Sequence, residues 1–393
     1  MLIRKLGILL TIIYYQMLIY GFMPTTLRLK NCRMIICKVS KWYFIYSLCV
    51  TGALLLQFPY LFPPGVFSGY SYMRNNIVLQ GNFIVSVTLR VVAFVSCYSL
   101  VWLQRKRLIQ IFMDFLLHWR NHWPILCRVA GLEALQKLQL QLAKILLRQL
   151  LVNNGMLLCS ILIQYQLLNG AKLAQIVVRA SHMLMVSTIR LGFCTVLILH
   201  NHQFEAVLLS LQALRQRVGC RSLEDFHRIA TIHSEWVRLA KRAFKIFDLA
   251  IASVFASMFT VIVSILYHAV QYINQTIKSD LSGYIIGDGL VLFSIWNLVL
   301  VMNLVNRTIN SCNEAGHFLR QFNDLPRLSP ESQKELEYIR NNRLVYRILG
   351  CVVLNRPAFL GYMASMLNNV IILMQFDLKR NQGTSLPTVK GNT

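Results

Sequence analysis

The sequence predicts an all-α membrane protein, a single domain over residues 1–393 with seven transmembrane helices. Three observations lead there. Hydrophobic residues make up 56% of the chain and charged residues 14%, with a mean hydropathy of +0.51. That balance is typical of multipass membrane chains rather than soluble domains. Charge-free runs of about 20 residues recur, the length a helix rising about 1.5 Å per residue needs to cross a hydrocarbon core of roughly 30 Å. Lys and Arg gather between alternate runs. Thirty of them fall in segments 1–41, 104–148, 201–248 and 307–350, and seven in segments 63–80, 170–181, 274–283 and 377–393. Cytoplasmic loops are the basic ones, so the amino terminus is expected in the cytoplasm and the carboxy terminus outside the cell. The net charge of +25 then reflects orientation in a lipid bilayer, and no nucleic-acid partner is expected.

Residues 1–41 are expected to form a cytoplasmic or interfacial segment. Leu6 to Leu27 is free of charge after Arg4 and Lys5. Tyr20-Gly21-Phe22-Met23 offers no small-x-small cleavage site for a signal peptide. A span there would place Arg28, Lys30, Arg33, Lys38 and Lys41 outside, against the positive-inside rule. An interfacial or re-entrant helix ending near Gly21 and Pro24 meets both objections.

Spans are expected near 42–62, 81–103, 149–169, 176–199, 249–273, 284–306 and 357–376. Pro59, Pro63, Pro64 and Gly65 end the first. Within 203–245, Phe204, Val207, Leu208, Leu211 and Leu214 recur at helical spacing. Phe226, Ile229, Ile232, Trp236, Leu239 and Phe244 follow past Gly219. Segment 327–347 opens with Ser329-Pro330-Glu331: an N-cap, a proline in the first turn and an acid at the positive end of the helix dipole. These amphipathic helices either lie on lipid or pack together and against other subunits. Residues 377–393 form an extracellular tail. Asn274-Gln275-Thr276, in the third outer loop, is a glycosylation sequon.

No catalytic set assembles, so no enzyme activity, cofactor or metal is expected. His200 and His202 fall on different helix faces. There is no phosphate loop and no Gly-x-Ser-x-Gly. Ten cysteines are scattered singly, without the spacing of a zinc site or a disulfide framework.

The last span is the most informative. Ala358 to Phe376 is free of charge and closes on Gln375, Phe376 and Asp377. Gln375 either caps the helix among headgroups or faces protein or water, because an unpaired amide in lipid is costly. Val370-Ile371-Ile372-Leu373-Met374-Gln375-Phe376 resembles the carboxy-terminal signature of insect gustatory receptors, which reads Thr-Tyr, five apolar residues, Gln-Phe. Asn368 and Asn369 stand where the family has Thr and Tyr. Tyr15 with Gly21-Phe22-Met23-Pro24, a basic segment and Trp42 resembles that family's amino-terminal region. Seven helices with the amino end inside also fit it, whereas G-protein-coupled receptors run the other way. No Asp-Arg-Tyr tripeptide or Asn-Pro-x-x-Tyr run is present.

The resemblance implies a taste receptor in the plasma membrane of sensory neurons. It implies a homo- or hetero-tetramer with related subunits that acts as a ligand-gated, non-selective cation channel. In it the Gln375–Phe376 pair would form the pore constriction, and the cytoplasmic helices an anchor where four subunits meet. The alternatives are a G-protein-coupled-type receptor and a solute transporter, for which no repeat between the chain's halves is seen.

Polar groups inside the spans are the remaining candidates. Arg90 lies mid-way along the second span, Arg190 mid-way along the fourth and Asp288 in the outer third of the sixth. Arg90 and Asp288 either pair with each other or reach headgroups or bound water. The outer halves hold Arg90, Gln164, Tyr165, His182, Ser264, Tyr267, His268, Asp288 and Trp296. Aromatic faces mixed with single hydrogen-bonding groups suit a small organic ligand, although Tyr and Trp near an interface also serve as belt residues. The resemblance implies that a small-molecule tastant binds in this outer part.

Overall fold

The structure, a computed structural model, describes residues 2–22, 25–30, 33–39, 41–57, 77–167, 173–216, 221–273, 281–321, 337 and 343–384. Helix α1 (Leu2–Ile19) stops where the sequence says it should. Gly21 takes φ +72°, and its N–H bonds Leu18 O at 2.9 Å while Phe22 N–H bonds Met17 O at 2.9 Å. This is the double bond pattern of a Schellman cap. A Cβ at Gly21 would lie 2.8 Å from Ser47 Oγ, so space and backbone both require glycine. Met17 presses on Gly192, and α1 lies along helices of the main bundle.

Strands β1 (Thr25–Lys30) and β2 (Arg33–Val39) follow as an antiparallel ribbon, a departure from the all-α expectation. Alternation in Thr25-Thr26-Leu27-Arg28-Leu29-Lys30 is a period-2 pattern that a hairpin accommodates. Helices α2 (Lys41–Leu56), α3 (Ile77–Leu103), α4 (Arg105–Ala130), α5 (Leu132–Leu167), α6 (Leu173–Arg215), α7 (Arg221–Ile273) and α8 (Leu281–Gln321) come next. The chain then forms the ribbon β3 (Arg347–Ile348)–β4 (Val352–Val353) and α9 (Arg356–Thr384). Six described helices, α3 and α5 to α9, are long and apolar enough to cross a membrane. Apolar α2 covers the start of the expected first span, and 58–62 lies outside the described residues.

Helices α6, α7 and α8 run for 43, 53 and 41 residues, well beyond the roughly 20 that a bilayer needs. They pass the expected span limits at 199, 249 and 306 unbroken. Phe204, Val207, Leu211 and Leu214 are buried, as are Phe226, Ile229, Ile232, Trp236, Leu239 and Phe244. These amphipathic stretches therefore pack together within the chain. Gly219 lies outside the described residues, between α6 and α7. Helix α6 packs against α5, α7 and α8, α3 packs on α7, and α9 lies at the edge against α7.

Most of the helix expected over 327–347 lies outside the described residues. Its final part is not helical: 343–346 is irregular and Arg347–Ile348 is strand. Tertiary bonds hold this stretch extended. Asn313 Nδ2 donates to Leu344 O at 3.2 Å, and Leu344 N–H donates to Asn313 Oδ1 at 3.0 Å. Tyr346 is buried between Phe193 and Phe244. Leu349, at φ +51°, donates its N–H to Asp248 Oδ1 at 2.9 Å. Asn355 caps α9, its Oδ1 accepting the Ala358 N–H at 2.9 Å.

Candidate functional site

Helix α9 has two unlike faces. Met366 and Val370 are buried, and Phe359, Tyr362, Met363 and Leu373 pack against the core. Tyr362 anchors the helix, its hydroxyl donating to Phe255 O at 2.7 Å and its ring meeting Phe259 at 5.3 Å. Ser365, Asn368, Asn369 and Gln375 are exposed on the other side, as are Leu360, Leu367, Ile371 and Phe376. Steps of three and seven put Ser365, Asn368 and Gln375 on one stripe of the helix. Only 11% of this apolar window is buried in the chain. A primary amide facing lipid without a partner costs roughly 2–7 kcal/mol, so the stripe calls for water or another protein surface.

The residues expected in an outer pocket divide by burial. His182 is fully buried; its ring nitrogens lie 2.8 Å from Val178 O and 3.1 Å from Leu54 O, and its ring meets Phe94 at 5.1 Å. Tyr267 is also fully buried, its hydroxyl accepting from Gln271 Nε2 at 3.1 Å. Neither faces an opening in this conformation. Half-buried Ser264 accepts from Asn82 Nδ2 at 2.9 Å, which ties α7 to α3. Gly287 approaches Ile265 of α7, which places Asp288 at the level of Ser264. Arg90, His268 and Asp288 are half-buried, whereas Tyr165 and Trp296 face outward. The helices carrying Arg90 and Asp288 are not packed side by side, since α3 lies on α7 and α8 lies on α5, α6 and α7. That arrangement does not favour their pairing. Nothing is described of the Gln164 side chain, and Asn274 lies outside the described residues.

The centre of the bundle holds a polar cluster of which the sequence reading named only one member. Arg190, 2% exposed, donates through Nε and Nη2 to Asn153 Oδ1 at 3.1 and 2.6 Å. Asn153 Nδ2 donates to Ser187 Oγ at 2.8 Å, and Gln149 Nε2 donates to Asn297 Oδ1 at 2.7 Å. Met156 and Met258 sulfurs lie 3.4 Å from Arg190 Nη1. Among the described residues no carboxylate pairs with this arginine. The i, i+4 spacing of Gln149 and Asn153 within an apolar run was the available signal.

A cavity of about 940 Å³ opens between α1, α4 and α6. Ile13, Phe115, Trp119, Trp123 and Ile189 line it, and none of the expected pocket residues does. It lies where α4 meets the bundle, away from the half in which the tastant pocket was expected.

Membrane-length helices, one of them carrying a polar stripe without a partner among the described residues, define a multipass membrane protein. The 7tm Chemosensory receptor profile matches residues 10–380. "Putative gustatory receptor 58b" of Drosophila melanogaster is 40% identical over 391 residues, covering 97% of this chain and 95% of its own. "Putative gustatory receptor 58a" of the same fly is 29% identical over 383 residues, covering 91% and 95%. The fold is similar to that of the insect olfactory receptor OR5 from Machilis hrabei in complex with eugenol. That comparison gives a TM-score of 0.64 at 12% identity, over 95% of this chain and 97% of that one. A second structure of that receptor gives 0.61 at 12%, over 93% and 97%. The chain therefore belongs to the seven-transmembrane chemosensory receptor family, and its relatives include gustatory receptors. It is a multipass membrane receptor of a non-enzymatic family.

Proposed function

We propose that this receptor is a ligand-gated, non-selective cation channel for small-molecule tastants, assembled as a tetramer of this chain alone or with related subunits. The amino terminus lies in the cytoplasm and the carboxy terminus outside. The exposed amide stripe of α9 supports this reading most strongly. Asn368 and Gln375 sit in a membrane-length helix with no core to enter. Four copies of α9 about an axis give these amides water and one another. Four Phe376 rings close the path by dewetting, and the Gln375 amides offer oxygens to a hydrated cation once the helices part. In the outer half, Arg90, Ser264, His268 and Asp288 remain partly exposed and are the polar groups nearest to meeting a ligand.

The test is current across bilayers that contain only the purified protein. Tastant-evoked cation current is expected. Ligand responses in cells together with silent bilayers would instead mark a receptor that signals through a G protein. A tag after Thr393 checks the orientation: it is expected to stain on intact cells, and staining only after permeabilisation would reverse the assignment.

A further inference from the structure

We infer that His118, His122 and Glu235 form a binding site for a divalent transition-metal ion, Zn²⁺ above all, that joins α4 to α7. His118 and His122 are one turn apart on α4, so both imidazoles leave the same face. Their rings stack at 5.1 Å. Glu235 approaches from α7, its Oε2 3.2 Å from His118 Nδ1 and 3.0 Å from His122 Nε2. The three donor atoms lie within 4.8 Å of one another. Zinc binds imidazole nitrogen and carboxylate oxygen at about 2.0–2.2 Å, so tetrahedral donors sit roughly 3.3 Å apart. The two contacts to Glu235 are already near that edge length, and an ion needs only small side-chain shifts to enter.

A plain hydrogen-bonded cluster is the competing explanation, and the geometry weighs against it. Glu235 Oε2 is buried at the atom level, and its contacts to the two ring nitrogens near 3 Å are poorly aligned for hydrogen bonds. Two ring nitrogens and one carboxylate oxygen thus share a small volume. A buried carboxylate oxygen with poorly aligned partners is costly, and a cation between the three groups removes that cost. Asp114, one turn before His118, is held by Arg242 Nη1 at 2.9 Å, so it is engaged elsewhere. The set is imidazole and carboxylate with no thiolate, which suits zinc and other late first-row ions rather than calcium or magnesium. Three protein ligands leave a fourth position for water. Trp236, fully buried, abuts both rings at 5.8 and 6.1 Å and fixes their orientation.

The sequence reading missed this site because only two ligands share a local spacing and the third comes from a distant helix. Under the proposed orientation the site faces the cytoplasm. Because α7 runs on from Glu235 into its span, a metal there stiffens α4 against a membrane-crossing helix.

The purified full-length receptor, stripped with chelator and dialysed against micromolar Zn²⁺, tests this by elemental analysis. One zinc per chain is expected, together with a raised melting temperature and, with Co²⁺, the intense visible bands of tetrahedral coordination. His122→Ala and Glu235→Gln are expected to lose the ion, the bands and the shift, whereas Asp114→Asn keeps all three. Glu235→Gln is close in shape to the native residue and covers the case in which the histidine variant fails to fold. A wild-type protein without stoichiometric metal, or variants that bind as the wild type does, would overturn the assignment.

Discussion

Helices α6 and α9 are both apolar and both long enough to cross a bilayer, yet 78% of the apolar window of α6 is buried inside the chain against 11% for α9. Each also carries or meets amides. Asn153 of α5 points at α6, fully buried and bonded to Arg190 and Ser187. Asn368 of α9 is exposed. The first amide satisfies a buried cation inside one subunit. The second has no such task among the described residues, so its use depends on what surrounds it. Membrane helices of similar hydropathy thus divide into a pillar that holds the fold and a peripheral helix available for assembly.

The sharpest way to break this contrast is Asn153→Leu. It strands the buried Arg190 charge, which is expected to cost about 3 kcal/mol or more. The melting temperature of the purified receptor should fall and surface expression should drop severely. Normal expression would mean that Arg190 finds another partner and that the α5–α6 cluster is not a structural centre.

A middle-sized effect is expected where α8 holds the stretch that leads into α9. Asn313→Ala removes both amide bonds to the Leu344 backbone, leaving a part-buried N–H unpaired at about 1–3 kcal/mol. Faster hydrogen exchange over 343–355, with the bundle unchanged, is the expected readout. Unchanged exchange there would remove this latch from the account.

Asn368→Ala should alter stability least, within about 0.5 kcal/mol, as for surface substitutions. It should nonetheless change single-channel conductance. A large loss of folded protein would show that the amide stripe serves the subunit's own packing.

How much of this was legible in the sequence depends on the length scale of the signal. Hydropathy alone pointed to the six membrane-length helices α3 and α5 to α9, because burial in lipid acts residue by residue along about 20 positions. Gly21 marked the end of α1 because its left-handed backbone is a local requirement. The partners of Arg190 were not visible as partners, since Asn153 and Ser187 lie on different helices and only packing brings them together. Residues 343–347 were misread because Leu344 is bonded to Asn313, Arg347 pairs within the ribbon and Tyr346 packs on Phe244 of α7, and those contacts outweigh local helix propensity. His182 and Tyr267 look like pocket groups on a helix wheel, yet neighbouring helices cover both. Gln375 and Phe376 are exposed, and the role assigned to them rests on how subunits meet.

Single-channel recording of Phe376→Ala and Gln375→Ala, each reconstituted alone in bilayers, tests the central claim that α9 lines the pore. The account predicts ligand-independent openings for Phe376→Ala, because the ring no longer closes the path. For Gln375→Ala it predicts altered conductance or ion preference with gating retained. Wild-type closed probability and conductance in both variants, with only the amount of protein at the membrane reduced, would contradict it and leave these residues as an anchor at the helix end.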